Sequence, residues 1–280
     1  MKLRLPYSSR LVAFLVTSIL VAFTLPLFAR EIQLPSSRWV QVTQIRGSVI
    51  YEGRAARVGD RLTAPGQQIS TGKDSSAVLA VDSGIATVNV AENTTVQVRN
   101  LSLVSNGGRV TILSVPRGQA RVQARRLTNS NSRLEISTPT GVAGVRGTEF
   151  GVGVGPKGKT GISTLEGAVA TTAAGRTVTV NGGYSSLVFP GSPPSSPQIT
   201  KENLKYELID LSPVGRDKIR CVCNVDPLNL VYLNDLPLEI NQNGRIDAIV
   251  PKAANSDYRL VVRSPLGKQE SYDIGSSLIR

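Results

Sequence analysis

Residues 77–98 read Ala77-Val78-Leu79-Ala80-Val81-Asp82-Ser83-Gly84-Ile85-Ala86-Thr87-Val88-Asn89-Val90-Ala91-Glu92-Asn93-Thr94-Thr95-Val96-Gln97-Val98. Apolar side chains recur at every second position: Ala77, Leu79 and Val81, then Val88 and Val90, then Val96 and Val98. Successive side chains on an extended chain point to opposite faces, so a period of two marks strands with one face buried. Asp82-Ser83-Gly84 and Glu92-Asn93-Thr94 interrupt the runs with the short polar and glycine residues that close tight turns. The stretch therefore reads as three strands and two turns.

The pattern continues on both sides. Val110 and Ile112, Leu134 and Ile136, and Val178 and Val180 alternate in the same way, with Gly47, Gly59, Gly72, Gly108 and Gly118 between runs. Up to about residue 190 no stretch repeats at helical period. Strands about ten residues apart with turns between them predict an all-β fold and leave sandwich, barrel and solenoid open. The segment Pro190-Gly191-Ser192-Pro193-Pro194-Ser195-Ser196-Pro197 is too rich in proline for a central strand and reads as a semi-rigid linker. Residues 190–212 are expected to be that linker plus one short helix capped by Thr200, with Leu204, Leu208 and Leu211 on its docking face. Beyond it, runs at 219–225, 228–233, 238–240, 245–250, 258–262 and 269–274 predict a small β-sandwich over residues 213–280. Asn234-Asp235 and Asn243-Gly244 supply its tight turns.

At the N-terminus, Lys2, Arg4 and Arg10 precede an apolar run from Leu11 to Phe28, the layout of a secretory signal. Residues 1–29 are expected to be removed after Ala29, leaving a domain at 30–189; an uncleaved run would instead be an N-terminal membrane anchor. The protein is thus expected in the periplasm or secreted. Of 32 basic residues, 29 then remain against 20 acidic ones, a net charge near +9. A basic envelope protein has anionic polymers as neighbours, although scattered charge also serves solubility alone. Few aromatics and export together argue against nucleic acid. The two cysteines, Cys221 and Cys223, share one strand face with Cβ atoms too far apart for a relaxed disulfide, which makes them core residues first.

The run Ile136-Ser137-Thr138-Pro139-Thr140-Gly141-Val142-Ala143-Gly144-Val145-Arg146-Gly147-Thr148-Glu149-Phe150 carries the most information. Taken with Gln44-Ile45-Arg46-Gly47-Ser48-Val49, Arg57-Val58-Gly59-Asp60-Arg61-Leu62, Thr71-Gly72-Lys73-Asp74-Ser75, Val81-Asp82-Ser83-Gly84, Glu92-Asn93-Thr94 and Glu166-Gly167-Ala168-Val169, it resembles the FecR-type domain family. The resemblance covers roughly residues 40–185. It implies an extracytoplasmic β-rich domain, of a kind whose best-known members relay a signal from an outer-membrane receptor to a cytoplasmic sigma factor. With about ten residues ahead of the apolar run, too few for a folded sigma-binding domain, a stand-alone exported member is expected. Residues 228–262 resemble bacterial immunoglobulin-like repeats, with Asp235 where such repeats often have glycine; that resemblance implies a spacer or adhesive module.

Read without the family, Asp74, Ser75, Asp82, Gly84, Gly147 and Gly167 are turn formers. Phe150 is expected inward with Val152 and Val154, and Glu149 on the opposite face within reach of Arg146 as a clamp or partner contact. The chain has no histidine, which removes the commonest general base and metal ligand. No enzyme, cofactor or metal site is expected. The expected function is a binding or scaffold module for an envelope protein or anionic wall polymer, with a component of a FecR-like signalling system as the alternative.

Overall fold

The computed structural model describes residues 38–145, 147–254 and 257–275. The expected signal segment and Arg146 lie outside them. The described residues form one compact unit that holds two separate hydrophobic cores.

The first core lies between two β-layers, and there is no barrel. One layer carries Val40–Arg46, Ser76–Val81, Ala86–Val90, Glu149–Val154, Thr160–Glu166 and Tyr184–Val188. The other carries Val49–Tyr51, Gln68–Thr71, Thr95–Val104, Arg133–Ser137, Val142–Val145, Ala168–Ala173 and Arg176–Asn181. Period-two alternation puts Leu79, Val88, Val122, Phe150 and Val152 of one layer against Ile69, Leu113 and Ile136 of the other, all fully buried. Of the three readings left open, the barrel is excluded among the described residues, and the strands pack as two layers.

One strand belongs to both layers. Gly108–Ala124 pairs over its first half with Thr95–Val104 (Val98 opposite Leu113) and over its second half with Ala86–Val90 and Glu149–Val154 (Val122 opposite Val88 and Phe150). The crossing falls at Gly118, whose φ of +86° favours glycine. A Cβ there would also lie 2.3 Å from Thr94 Oγ1 and 2.6 Å from Thr94 Cα.

The second core lies between a three-stranded sheet (Tyr206–Val214, Lys218–Val225, Arg245–Pro251) and a four-stranded sheet (Leu236–Leu238, Leu230–Leu233, Arg259–Arg263, Gln269–Asp273). Cys221 and Cys223 are free and fully buried in it. The neighbouring Cys221 thiol, and after it burial, push the Cys223 pKa up.

The expected helix after residue 200 does not form. Tyr206–Val214 is a strand paired with Lys218–Val225, Leu208 opposite Cys223 and Leu211 opposite Cys221. A bulge between Leu208 and Asp210 inserts one extra residue, so Leu208 and Leu211 both face the core at a spacing of three, which imitates a helical period. Thr200 bonds the Ser185 hydroxyl at 2.5 Å, and Gln198–Ile199 adds a short strand beside Tyr184. Residues 190–197 fold back on the preceding strand, where Ser195 donates its amide to the Leu187 carbonyl at 2.9 Å.

Candidate functional site

The strand Glu149–Val154 decides what surrounds it on both faces. Phe150, Val152 and Val154 turn inward, and Gly151 and Gly153 alternate with them on the outer face. That outer face is covered by the C-terminal sheets. A Cβ on Gly151 would fall 1.9 Å from the Pro265 carbonyl oxygen, and one on the neighbouring Gly161 would fall 2.6 Å from the Leu228 carbonyl oxygen. Glycine on this face thus lets two backbones abut directly.

Polar groups fix the rest of the seam. Gln119, 2% exposed, donates its amide to the carbonyls of Ser264 (2.6 Å) and Pro265 (2.8 Å). Lys159, 1% exposed, donates from Nζ to the carbonyls of Pro227 (2.8 Å) and Asn229 (2.5 Å). Burial pushes the Lys159 pKa down to about 7, a shift that the carboxylates of Glu239 and Asp226 partly oppose. Arg263 pairs with Glu92 across the seam and bonds Gln269 at 2.6 Å on its own side. At the rim, Lys73 and Asp235 approach to 2.7 Å.

Beside the seam opens a cleft of about 600 Å³ lined by Asp74, Glu92, Arg121, Glu149, Arg263 and Gln269 among others. The Glu149 carboxylate accepts from Arg121 Nε (2.9 Å) and Nη2 (2.5 Å), and Arg263 holds Glu92. Positive and negative side chains neutralise each other here. The paired charges suit the cleft to polar recognition. Among the described residues no group of three His, Cys, Asp or Glu is placed to hold a metal ion.

The residues singled out from sequence scatter around this frame. Glu149, Asp74 and Ser75 all line the cleft. Glu149 is held by Arg121, and the expected partner Arg146 lies outside the described residues. Phe150 is fully buried in the first core and presents nothing to a partner. Ser75 accepts the Ser48 amide at 2.8 Å and donates to the Lys73 carbonyl at 2.8 Å. Asp74 (φ +52°), Gly84 (+97°), Gly147 (+86°) and Gly167 (+77°) sit at left-handed positions of the backbone. Asp82 does more than close its turn. Its buried carboxylate accepts from Arg38 Nη2 at 2.9 Å, Arg109 Nη1 at 3.3 Å and the Trp39 amide at 3.1 Å.

Sequence reading missed Arg38, Lys159, Gln119 and the seam itself. Only the alternation Gly151-Val152-Gly153-Val154-Gly155, out of phase with Phe150, signalled a face that must accept another backbone.

Residues 67–170 match the family model described as FecR protein, so the chain carries a FecR domain over that span. Two crystal structures of a candidate anti-sigma factor from Parabacteroides distasonis align with 47% of this chain and 59% of theirs, at 13% and 14% identity and a TM-score of 0.40 each. The chain thus spans about three-fifths of the length of those structures. No curated protein matches it.

Proposed function

We propose that the chain is a non-catalytic, extracytoplasmic signalling component of the FecR type, in which the two-layer domain receives a partner protein and the C-terminal sheets fix its orientation. The observation that carries this reading is the FecR domain at residues 67–170. It favours signalling over the wall-polymer scaffold role expected from charge and the immunoglobulin-like resemblance. A regulatory role also suits the chemistry of the cleft. Its buried-edge carboxylates Glu92 and Glu149 are each taken up by an arginine, and the chain has no histidine to act as a general base.

The test is genetic and biochemical together. Deleting the gene should change transcription of an uptake system under metal limitation, and restoring the full chain should reverse the change. The native protein should fractionate with the envelope, either free after loss of residues 1–29 or anchored by them. An unaltered transcriptome overturns the signalling role; a cytoplasmic protein overturns the location.

A further inference from the structure

On the edge of the two-layer domain away from the seam contacts, a groove of about 310 Å³ is lined by Arg109, Arg125, Arg126, Asn129 and Ser132, with Ser83 and Gly84 at one wall. It contains no carboxylate of its own. The nearest buried acid, Asp82, shares a single oxygen, Oδ2, between Arg38 at 2.9 Å and Arg109 at 3.3 Å. One negative charge is therefore divided between two guanidiniums, and Arg125 and Arg126 add two more positive charges. The net excess around the groove is about three positive charges, a concentration that focuses field on a small concave surface. Glu149 and Glu166 line the neighbouring cleft that Arg125 also borders, and no ion pair joins either of them to Arg125 among the described residues.

The arginines are mounted on a frame that is fixed in advance. Arg125 donates its amide to the Ile85 carbonyl at 2.9 Å, and its guanidinium packs on Gly84, where a Cβ would sit 3.6 Å from Arg125 Nη2. The loop that follows is tied to the facing turn. Asn129 donates its side-chain amide to the Asn106 carbonyl (2.9 Å), and Arg109 donates its amide to the Ser132 hydroxyl (3.0 Å). Leu127 anchors the same loop in the first core. Three guanidiniums around one concavity match the flat, forked geometry with which arginine binds phosphate oxygens.

We infer that this groove is a binding site for a phosphate-bearing ligand carrying at least two negative charges, independent of the signalling reading above. The chemistry is shared by acidic phospholipid headgroups and by soluble phosphorylated glycans. The probe is inorganic pyrophosphate, titrated calorimetrically into the full chain at low ionic strength. The expected result is saturable binding that weakens with added salt and weakens roughly ten-fold or more in the double variant Arg125→Ser/Arg126→Ser, given the strength of charge-assisted hydrogen bonds. Arg109→Gln provides a second, independent loss. The control Arg216→Ser/Lys218→Ser removes the same charge from an exposed turn of the C-terminal sheets and should bind as the parent does. Flotation with cardiolipin vesicles, whose headgroup carries two phosphodiester charges, separates the sources. Capture that depends on Arg125 and Arg126 assigns the lipid headgroup, and pyrophosphate binding without capture assigns a soluble ligand. No heat of binding in the parent chain, or equal weakening in the control, overturns the site.

Discussion

Replacing Gly151 with alanine places a methyl group where the C-terminal backbone already lies. The new Cβ would stand 1.9 Å from the Pro265 carbonyl oxygen and 2.5 Å from its carbon. Ordinary contacts need well over 3 Å, so the turn at residues 264–267 must retreat by more than ~1 Å. The same turn supplies both carbonyls that Gln119 holds. Overpacking costs ~1–3 kcal/mol, and straining two buried hydrogen bonds adds about 1 kcal/mol, for a loss of ~2–4 kcal/mol. With some 2–4 °C of melting temperature per kcal/mol at this size, the drop is about 4–16 °C. Gly151 has no left-handed φ, so backbone strain does not contribute. Gly144→Ala is the matched control: its Cβ would meet Ala170 O at 3.8 Å and nothing closer, and it should melt within ~2 °C of the parent. Thermal unfolding would be followed alongside limited proteolysis of residues 190–205, which should accelerate only in the Gly151 variant. Melting of G151A within ~1 °C of the parent, with unchanged proteolysis, refutes direct backbone abutment at the seam.

Lys159→Met tests the buried amine. Because the folded pKa is about 7 and the unfolded one about 10.4, the unfolded chain binds more protons between those values. Parent stability should therefore rise from pH 7 to pH 10 in urea titrations, and the variant should lack that rise; an identical slope contradicts the assignment. Asp82→Ala leaves the guanidinium of Arg38 buried and uncompensated, which should cost ~3–5 kcal/mol in denaturant, and a loss below about 1 kcal/mol would show that Arg38 finds other partners. Gly118→Ala blocks the crossing between layers by both φ and the contact with Thr94, so soluble yield and strand signal in circular dichroism should collapse; a folded variant at parent yield would count against this crossing point.

The strands were legible because a two-layer fold writes its core in period two, and residues 77–98 show that pattern without interference. The failures have local causes. At Leu208 and Leu211 a bulge shifted the register and produced helical spacing on a strand. The Arg121 partner of Glu149 was not legible either: the sheet places Glu149 opposite Gln123, which brings Arg121 into diagonal reach from a strand 28 residues away. Arg38 and Lys159 were invisible for the same reason: their carbonyl and carboxylate partners lie 44 to 72 residues off in the chain. Asp235 is a mixed case. As a departure from the glycine of similar repeats it looked like a weakened match, and the structure gives it an ion pair with Lys73.

The two cores never merge, and this bears on how the chain holds its shape. An apolar seam would bind the C-terminal sheets strongly while leaving their angle loosely defined, since burial of apolar area has no direction. Here apolar contact such as Leu230 over Gly153 is joined by glycines against carbonyl oxygens and by Gln119, Lys159 and Arg263 donating to fixed acceptors. Hydrogen bonds are directional, and a buried donor left without its acceptor costs about 1–3 kcal/mol. A tilt of the C-terminal sheets would break several of these bonds together. The seam therefore favours one orientation over a continuum of them, and Lys159 makes that preference sensitive to protons near neutrality. A surface formed jointly by both halves, such as the cleft between Asp74 and Gln269, is held in one geometry. A partner that recognises this cleft would act on the seam as well as on the first domain.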